Sequence, residues 1–207
     1  SNDGGFQWTP RRRIIHCGDG CDRDRWMPGF DGSRHTVQFD QPHSVTLEDG
    51  TLVFGFTVKT PRYATRFFRG RWNDAGQAIQ WEASESITVP EAVSSTGPCE
   101  PDLLPLGGQR LLATMRTQGI PNKKVPTTRQ YAVSEDGGRT WCKPEPLKYD
   151  DGTLVWVPAA ISAFERDPAS GRVFWFGNIQ PGPVYGQIPR YPLTMAQLDT
   201  RRLCILK

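Results

Sequence analysis

The sequence has neither the long apolar runs nor the periodicity that predict helices. No run of eighteen or more apolar residues occurs in the 207-residue chain, so we expect no membrane span. No segment repeats apolar residues at i, i+3, i+4 and i+7 over three capped turns, and residues 193–203, the nearest candidate, alternate as a strand does. These absences argue against a helix bundle and against a helical membrane protein.

Excess charge and paired cysteines are also lacking. The 25 Lys and Arg nearly balance the 22 Asp and Glu and are scattered apart from Arg11–Arg13, so nucleic acid is not an expected partner. The five cysteines are an odd number, and His16, Cys17 and Cys21 fall short of the four ligands that a zinc site needs. We therefore predict neither a metal site nor a cofactor.

The sequence predicts neither a compartment nor an oligomeric state. Residues 1–4 contain no basic or apolar leader segment. A secreted or periplasmic location for a longer parent protein stays open.

Short strands joined by turns are what the composition favours. Aromatic residues make up 11% of the chain, which also has 21 Gly and 18 Pro, a mixture rich in strand and turn formers. Residues 44–58, 102–116 and 161–176 each show a strand, a Gly-containing turn and a second strand. These units recur at roughly sixty-residue intervals, which predicts an all-β repeat architecture.

A second repeated feature has the pattern Ser-x-Asp-x-Gly-x-Thr-Trp. Ser and Asp side chains accept hydrogen bonds from the N–H groups of a tight turn, Gly supplies positive φ, and Trp anchors the turn to the core. A degenerate third copy is centred on Asn73–Gly76 and uses Trp81. The clearest copy has Ser134, Asp136, Gly138, Thr140 and Trp141, and the opening copy has Ser1, Asp3, Gly5 and Trp8, with Gln7 replacing Thr.

The segment 134–141 resembles the Asp-box of sialidases and related BNR-repeat propellers. In that family the box joins the third and fourth strands of a blade and has a structural role. The resemblance implies a six-bladed β-propeller, of which this chain would hold about three to four blades. We therefore expect residues 1–207 to form a single, partial propeller domain, either the middle of a longer protein or a truncated gene product.

Residues 97–116 resemble the sialidase segment in which a Glu precedes one strand and an Arg ends the next. The match implies that Glu100 takes the proton of a tyrosine nucleophile and that Arg116 grips the substrate carboxylate through its planar fork. Arg190, in an Arg-x-Pro-Leu context, would be a second carboxylate ligand. Tyr185 lies in the preceding loop, which would border the ligand.

The resemblance implies a retaining exo-sialidase-like glycoside hydrolase acting on terminal sialic acids, with a sialylated or other acidic glycan as partner. It places the acid Asp and one Arg before Ser1 and the nucleophilic Tyr after Lys207, so we expect little activity from this chain alone. Asp31 is interpreted as a turn residue and His43 as a structural histidine. Two alternatives stay open: a non-catalytic glycan-binding or scaffold propeller, and a related propeller hydrolase of another sugar.

Overall fold

The computed structural model describes residues 4–7, 36–38, 43–75 and 78–207. Several residues discussed above lie outside this described part: Ser1, Asp3, Trp8, Arg11–Arg13, His16, Cys17, Cys21 and Asp31. Of the opening Ser-x-Asp copy, Gly5 is described, and it is exposed with a φ of 97°.

Three consecutive antiparallel sheets make up the described chain. In the first sheet β1 and β2 both pair with β3, which pairs with β4, and β4 pairs with β5. The second and third sheets each contain four strands in sequence order. The strands are β1 Thr36–Gln38, β2 Ser44–Thr46, β3 Leu52–Thr60, β4 Arg62–Asn73 and β5 Ala78–Ala83 in the first sheet; β6 Cys99–Gly107, β7 Arg110–Arg116, β8 Arg129–Ser134 and β9 Glu145–Pro146 in the second; and β10 Ala163–Arg166, β11 Val173–Gly177, β12 Thr194–Asp199 and β13 Cys204–Ile205 in the third.

The all-β prediction is confirmed. The helical content of the described residues is one 3₁₀ turn, Pro121–Lys123. The three predicted strand–turn–strand units are the hairpins β2–β3, β6–β7 and β10–β11. Residues 193–203 supply strand β12 and not a helix.

The core lies between the sheets, and the middle sheet is buried on both faces. Successive residues of a strand point to opposite faces, and Leu103 accordingly packs against Val53 and Phe67 of the first sheet. Its neighbour Leu104 packs against Trp175 of the third sheet. Burying one such side chain contributes about 1.5–3 kcal/mol, so the two interfaces stack the three sheets face to face.

Candidate functional site

Three functional side chains meet where β6 begins, β7 ends and β8 begins. Cys99 pairs with Arg116, and Arg116 pairs with Arg129. Directly paired residues of neighbouring strands project from the same face, so the two guanidinium groups share the face that also carries Leu112. Glu100 follows Cys99 at this edge of the sheet, which we call the rim.

A β-bulge sets the direction of the Glu100 side chain. The pairing shifts register between Cys99 and Asp102, and Glu100 has a φ of 48°, which is uncommon for a residue with a Cβ. Its N–H donates to Thr57 Oγ1 of the first sheet at 3.1 Å. Bulges commonly re-aim a side chain beside a functional site, and here the bulge lets Glu100 reach Arg116.

Gly55 makes room for this bulge. A Cβ at position 55 would lie 2.5 Å from Pro101 Cγ and 2.9 Å from Phe67 Cε1. Only glycine therefore lets β3 approach the ring of Pro101 this closely.

The resemblance-based pair, Glu100 and Arg116, is in direct contact. Arg116 Nη1 donates to Glu100 Oε1, and the two side chains are only 15% and 11% exposed, respectively. Glu100 Oε2 and Arg116 Nε are buried without a hydrogen-bond partner among the described residues. The pair thus retains one acceptor and one donor that are shielded from solvent and unsatisfied.

Arg129 lies beside this pair and was not selected from the sequence. It is 2% exposed, and its Nη2 donates to the carbonyl oxygen of Ala160. Burial lowers the pKa of Arg129 to about 10, against the opposing effect of the nearby Glu100 carboxylate, so the guanidinium is still charged at neutral pH. Its Nε and Nη1 have no partner among the described residues. The sequence feature that could have pointed to Arg129 is the run of polar residues 127–130 at the start of a strand.

Asp102 connects β6 to β10 and to the residue that precedes β2. Its Oδ1 accepts from His43 Nδ1, before β2, at 2.8 Å, and its Oδ2 accepts from the N–H of Phe164 in β10 at 2.6 Å. Asp102 is 1% exposed, whereas His43 is 47% exposed. Burial raises the pKa of Asp102, and the two hydrogen bonds oppose that rise.

Tyr185 lies in the connection between β11 and β12, on a segment anchored beside the rim. The carbonyl oxygen of Val184 accepts from the N–H of Thr127 at 2.6 Å, and that of Gly186 accepts from the N–H of Ala159 at 2.8 Å. Tyr185 itself is 40% exposed. These bonds hold its loop next to residues adjoining Arg129 and Ala160.

Arg190 forms no hydrogen bond or ion pair with Glu100 or Arg116 among the described contacts. Its Nε donates to the carbonyl oxygen of Gln187 at 3.1 Å within the same loop, and it forms no ion pair within the described ranges. Its role as a carboxylate ligand stays a prediction.

The part of the chain that is described contains neither a metal-binding cluster nor a membrane-spanning helix. No group of three or more His, Cys, Asp or Glu side chains there could hold a metal ion. No helix there is long and apolar enough to cross a bilayer.

The arrangement of sheets is similar to that of several solved structures. No family model and no curated protein matches the sequence. The chain is similar to Trypanosoma rangeli sialidase in complex with the inhibitor DANA, at 16% identity and a TM-score of 0.52, over 83% of this chain and 26% of that one. It is also similar to a Hadza microbial sialidase, at 16% identity and a TM-score of 0.51, over 78% of this chain and 28% of that one.

An N-acetylgalactosamine deacetylase from F. plautii, in complex with blood group B trisaccharide, matches with a TM-score of 0.52 at 10% identity, over 84% of this chain and 52% of that one.

The fold is that of a β-propeller. The chain thus spans about a quarter of the sialidases and about half of the deacetylase. At these identities the likeness concerns the fold, and each described sheet is a propeller blade.

The Ser134–Trp141 turn joins the third and fourth strands of the second blade, at the end away from the rim. Asp136 Oδ1 accepts from the N–H groups of Arg139 and Thr140 at 3.0 and 2.9 Å, and Asp136 Oδ2 accepts from Thr140 Oγ1 at 2.7 Å. Ser134 Oγ accepts from the N–H of Gly138, which has a φ of 90°. The turn is therefore held by the bonds that its sequence predicts.

Trp141 connects this turn to the first blade through an aromatic contact. Its ring lies 4.4 Å from that of Phe67, centroid to centroid, at an angle of 31°. In the first blade the degenerate copy is described only up to Ala75, since Gly76 lies outside the described residues; there Trp72 Nε1 donates to Asp74, and the N–H of Ala75 donates to Asn73.

Proposed function

We propose that this chain is part of a glycan-acting propeller whose rim binds the carboxylate of an acidic sugar, with sialic acid as the first candidate. The parent activity would be exo-sialidase-like hydrolysis of terminal sialic acids with retention of configuration. The observation that carries this proposal is the buried Glu100–Arg116 pair with the charged, partly unpartnered Arg129 on the same face.

Charge and unsatisfied hydrogen bonding favour an anionic ligand. A buried polar group without a partner costs about 1–3 kcal/mol, and Arg116 and Arg129 together leave three nitrogen atoms, the two Nε and Arg129 Nη1, in this state among the described residues. A carboxylate presents two acceptor oxygens in the plane of a guanidinium fork. A sugar acid could satisfy several of these donors at once.

Glu100 would act as a proton acceptor in this site. Its Oε1 is bonded to Arg116, whereas Oε2 has an open acceptor position. In the proposed reaction the phenol O–H of a tyrosine gives its proton to Oε2. The phenolate forms a bond to the anomeric carbon, and the electrons of the glycosidic C–O bond leave with the departing oxygen. A neutral phenol avoids the repulsion that a carboxylate nucleophile would meet from the sugar acid, and such hydrolysis through tyrosine is a recognised variant of retaining catalysis.

Binding is the property to measure first, because it tests the proposed arginine ligands directly. We would titrate the chain with N-acetylneuraminic acid and, separately, with neutral N-acetylgalactosamine, by calorimetry or ligand-observed NMR. We expect binding of the acid only. Arg116→Lys should weaken it by about tenfold, equivalent to about 1.4 kcal/mol, since Lys keeps the charge and loses the fork.

Arg110→Lys is the matched control. Arg110 begins the strand that Arg116 ends, and it forms an exposed pair with Glu135. Its replacement should leave sugar binding unchanged. Equal affinity for the neutral sugar, or unchanged binding in Arg116→Lys, would refute the proposed ligand.

A further inference from the structure

An apolar cleft opens on the face of the second blade that is turned towards the first blade, opposite the face that carries Arg116 and Arg129. Gln130 lines this cleft and pairs with Met115, which packs in the core between the first two blades. Directly paired residues project from the same face of a sheet, and this fixes the side on which the cleft lies. Its volume of about 620 Å³ falls within the range of about 300–1,000 Å³ that is typical of small-molecule sites.

The walls of this apolar cleft are mainly aliphatic, and hydrogen bonds behind them hold them in place. Val89, Pro90 and Val93 form one wall, in the connection between β5 and β6. Arg62 Nη1 donates to the carbonyl oxygen of Val89 at 3.2 Å, and the N–H of Val93 donates to that of Pro90 at 3.0 Å. Val125, which also lines the cleft, is fixed by a pair of backbone hydrogen bonds across the preceding turn. A site that is formed in advance lowers the ordering cost of binding.

Gln130 places a buried polar group in this apolar lining. It is 3% exposed, and its Nε2 donates to Thr128 Oγ1 at 2.8 Å. No described residue donates a hydrogen bond to its Oε1. A buried acceptor without a partner is costly, and most such groups are bonded to something. Because Gln130 lines the cleft, an N–H group of a bound molecule could supply the missing bond.

Lys143 brings a charge to the lining, and no carboxylate among the described lining residues opposes it. The nearest acidic residue along the chain, Glu145, pairs with Tyr131 and therefore projects from the opposite face. Lys143 precedes Pro146, the strand partner of Gln130, by three residues, which is roughly 10 Å along an extended strand. The cleft thus has a hydrogen-bond acceptor in its floor and an exposed cation towards one end.

We propose that this cleft is a second binding site, for an elongated and mainly apolar molecule that carries a carboxylate at one end and an amide N–H within about 10 Å of it. The aliphatic walls cover the body of the molecule, Gln130 Oε1 accepts from the N–H, and Lys143 pairs with the carboxylate. The site is independent of the proposed sugar site, since the two lie on opposite faces of the second blade.

The probe for this site is N-benzoyl-ε-aminocaproate, in which an apolar chain joins a benzamide to a carboxylate. Calorimetry or ligand-observed NMR should give a Kd of about 1 mM or tighter with the whole chain. The N-methylated probe lacks the N–H and should bind about fivefold more weakly, the effect of one hydrogen bond. The methyl ester lacks the charge and should bind about threefold more weakly, as is typical of one exposed ion pair.

Two variants assign these effects to residues. Gln130→Met keeps the length of the side chain and should bind the N–H probe and the N-methylated probe equally, whereas a purely structural role of Gln130 would leave their difference intact. Lys143→Met should lose the preference for the acid over its ester. Lys148→Met is the matched control and should keep that preference, because Lys148 is also exposed and does not line the cleft.

Several outcomes would overturn this inference. One is no binding of the acid, and another is equal binding of the N–H and N-methylated probes by the wild-type chain, which decides the matter even if Gln130→Met does not fold. Loss of probe binding in Arg116→Lys would place the probe at the rim instead. NMR signals of cleft residues that shift with protein concentration and not with the probe would show that a second copy of the chain fills the cleft. N-acetylneuraminic acid should not displace the probe, so failure of either proposal leaves the other standing.

Discussion

Removing the Asp136 carboxylate should destabilise the second blade measurably, because one side chain satisfies four donors of its turn. Asp136 accepts from the N–H groups of Arg139 and Thr140 and from the hydroxyl of Thr140, and Ser134 Oγ donates to it at 2.8 Å. In Asp136→Ala all of these bonds are lost. The N–H groups, which lie on exposed residues, can turn to water, whereas Ser134 is buried and cannot do so easily.

The size of the effect follows from that count. A net hydrogen bond contributes roughly 1 kcal/mol, so four bonds amount to about 4 kcal/mol, and water access at Arg139 and Thr140 reduces this to about 2 kcal/mol. For a chain of this size a loss of about 2 kcal/mol lowers Tm by roughly 4–8 °C. The ring of Trp141, which packs on Phe67, should report the same transition by fluorescence.

The pH dependence gives an independent check. Burial acts to raise the pKa of Asp136, but the bonds from Thr140, Ser134 and Arg139 together lower it. A carboxyl whose pKa is lower in the folded state stabilises the fold above its ordinary pKa, and this contribution disappears as the pH falls through the folded-state pKa. The Tm difference between wild type and Asp136→Ala should therefore be full near pH 7 and should shrink below about pH 4.

Asp167 provides the matched control. It accepts similar bonds from Ala169 and Ser170, but in a fully exposed hairpin turn of the third blade. Asp167→Ala should cost clearly less than Asp136→Ala. Equal losses for the two variants, or a loss for Asp136→Ala that persists unchanged at acid pH, would show that the carboxylate bonds do not stabilise the blade as argued.

Three further predictions concern the packing between blades and the rim. Gly55→Ala should destabilise the chain by about 1–3 kcal/mol through overpacking against Pro101 and should weaken N-acetylneuraminic acid binding by moving the bulge; normal Tm and affinity would contradict this. Trp141→Ala should cost about 3 kcal/mol in urea denaturation, and Trp72→Ala, at an exposed position, much less; equal costs would refute the inter-blade role. Glu100→Gln should bind the sugar acid at least as tightly as wild type, since it removes a repelling charge; a tenfold loss by calorimetry would contradict this charge argument and show that Glu100 holds Arg116 in its binding position.

Features that depend on local sequence could be predicted, and the Ser134–Trp141 turn is the clearest example. Its bonds join residues at most four positions apart, and its glycine has the positive φ that the pattern requires. The hairpins were also predictable, since strand propensity and turn residues lie next to one another. The contact between Glu100 and Arg116 was expected because a hairpin returns the chain to its starting edge.

The rest of the site depends on contacts that no local pattern encodes. Arg129 reaches the site through the register of β7 and β8, and His43 meets Asp102 across 59 positions of sequence. The extra residue that forms the bulge at Glu100 depends on Thr57 and Gly55 of another blade.

In the second blade, one end contributes mainly to stability, and the other end carries the proposed ligand site. At the rim, Glu100 has an unfavourable φ, and buried polar atoms of Glu100, Arg116 and Arg129 lack partners among the described residues. Each such feature costs about 1–3 kcal/mol. The opposite end has the fully bonded Ser134–Trp141 turn, and between the ends lie apolar faces buried on both sides. Because the buried apolar faces and the bonded turn stabilise the rest of the blade, the blade can tolerate strained and unsatisfied groups at its other end. Under the proposed function those groups would gain partners when an anion binds, and so the least stable part of the blade is where we expect the ligand.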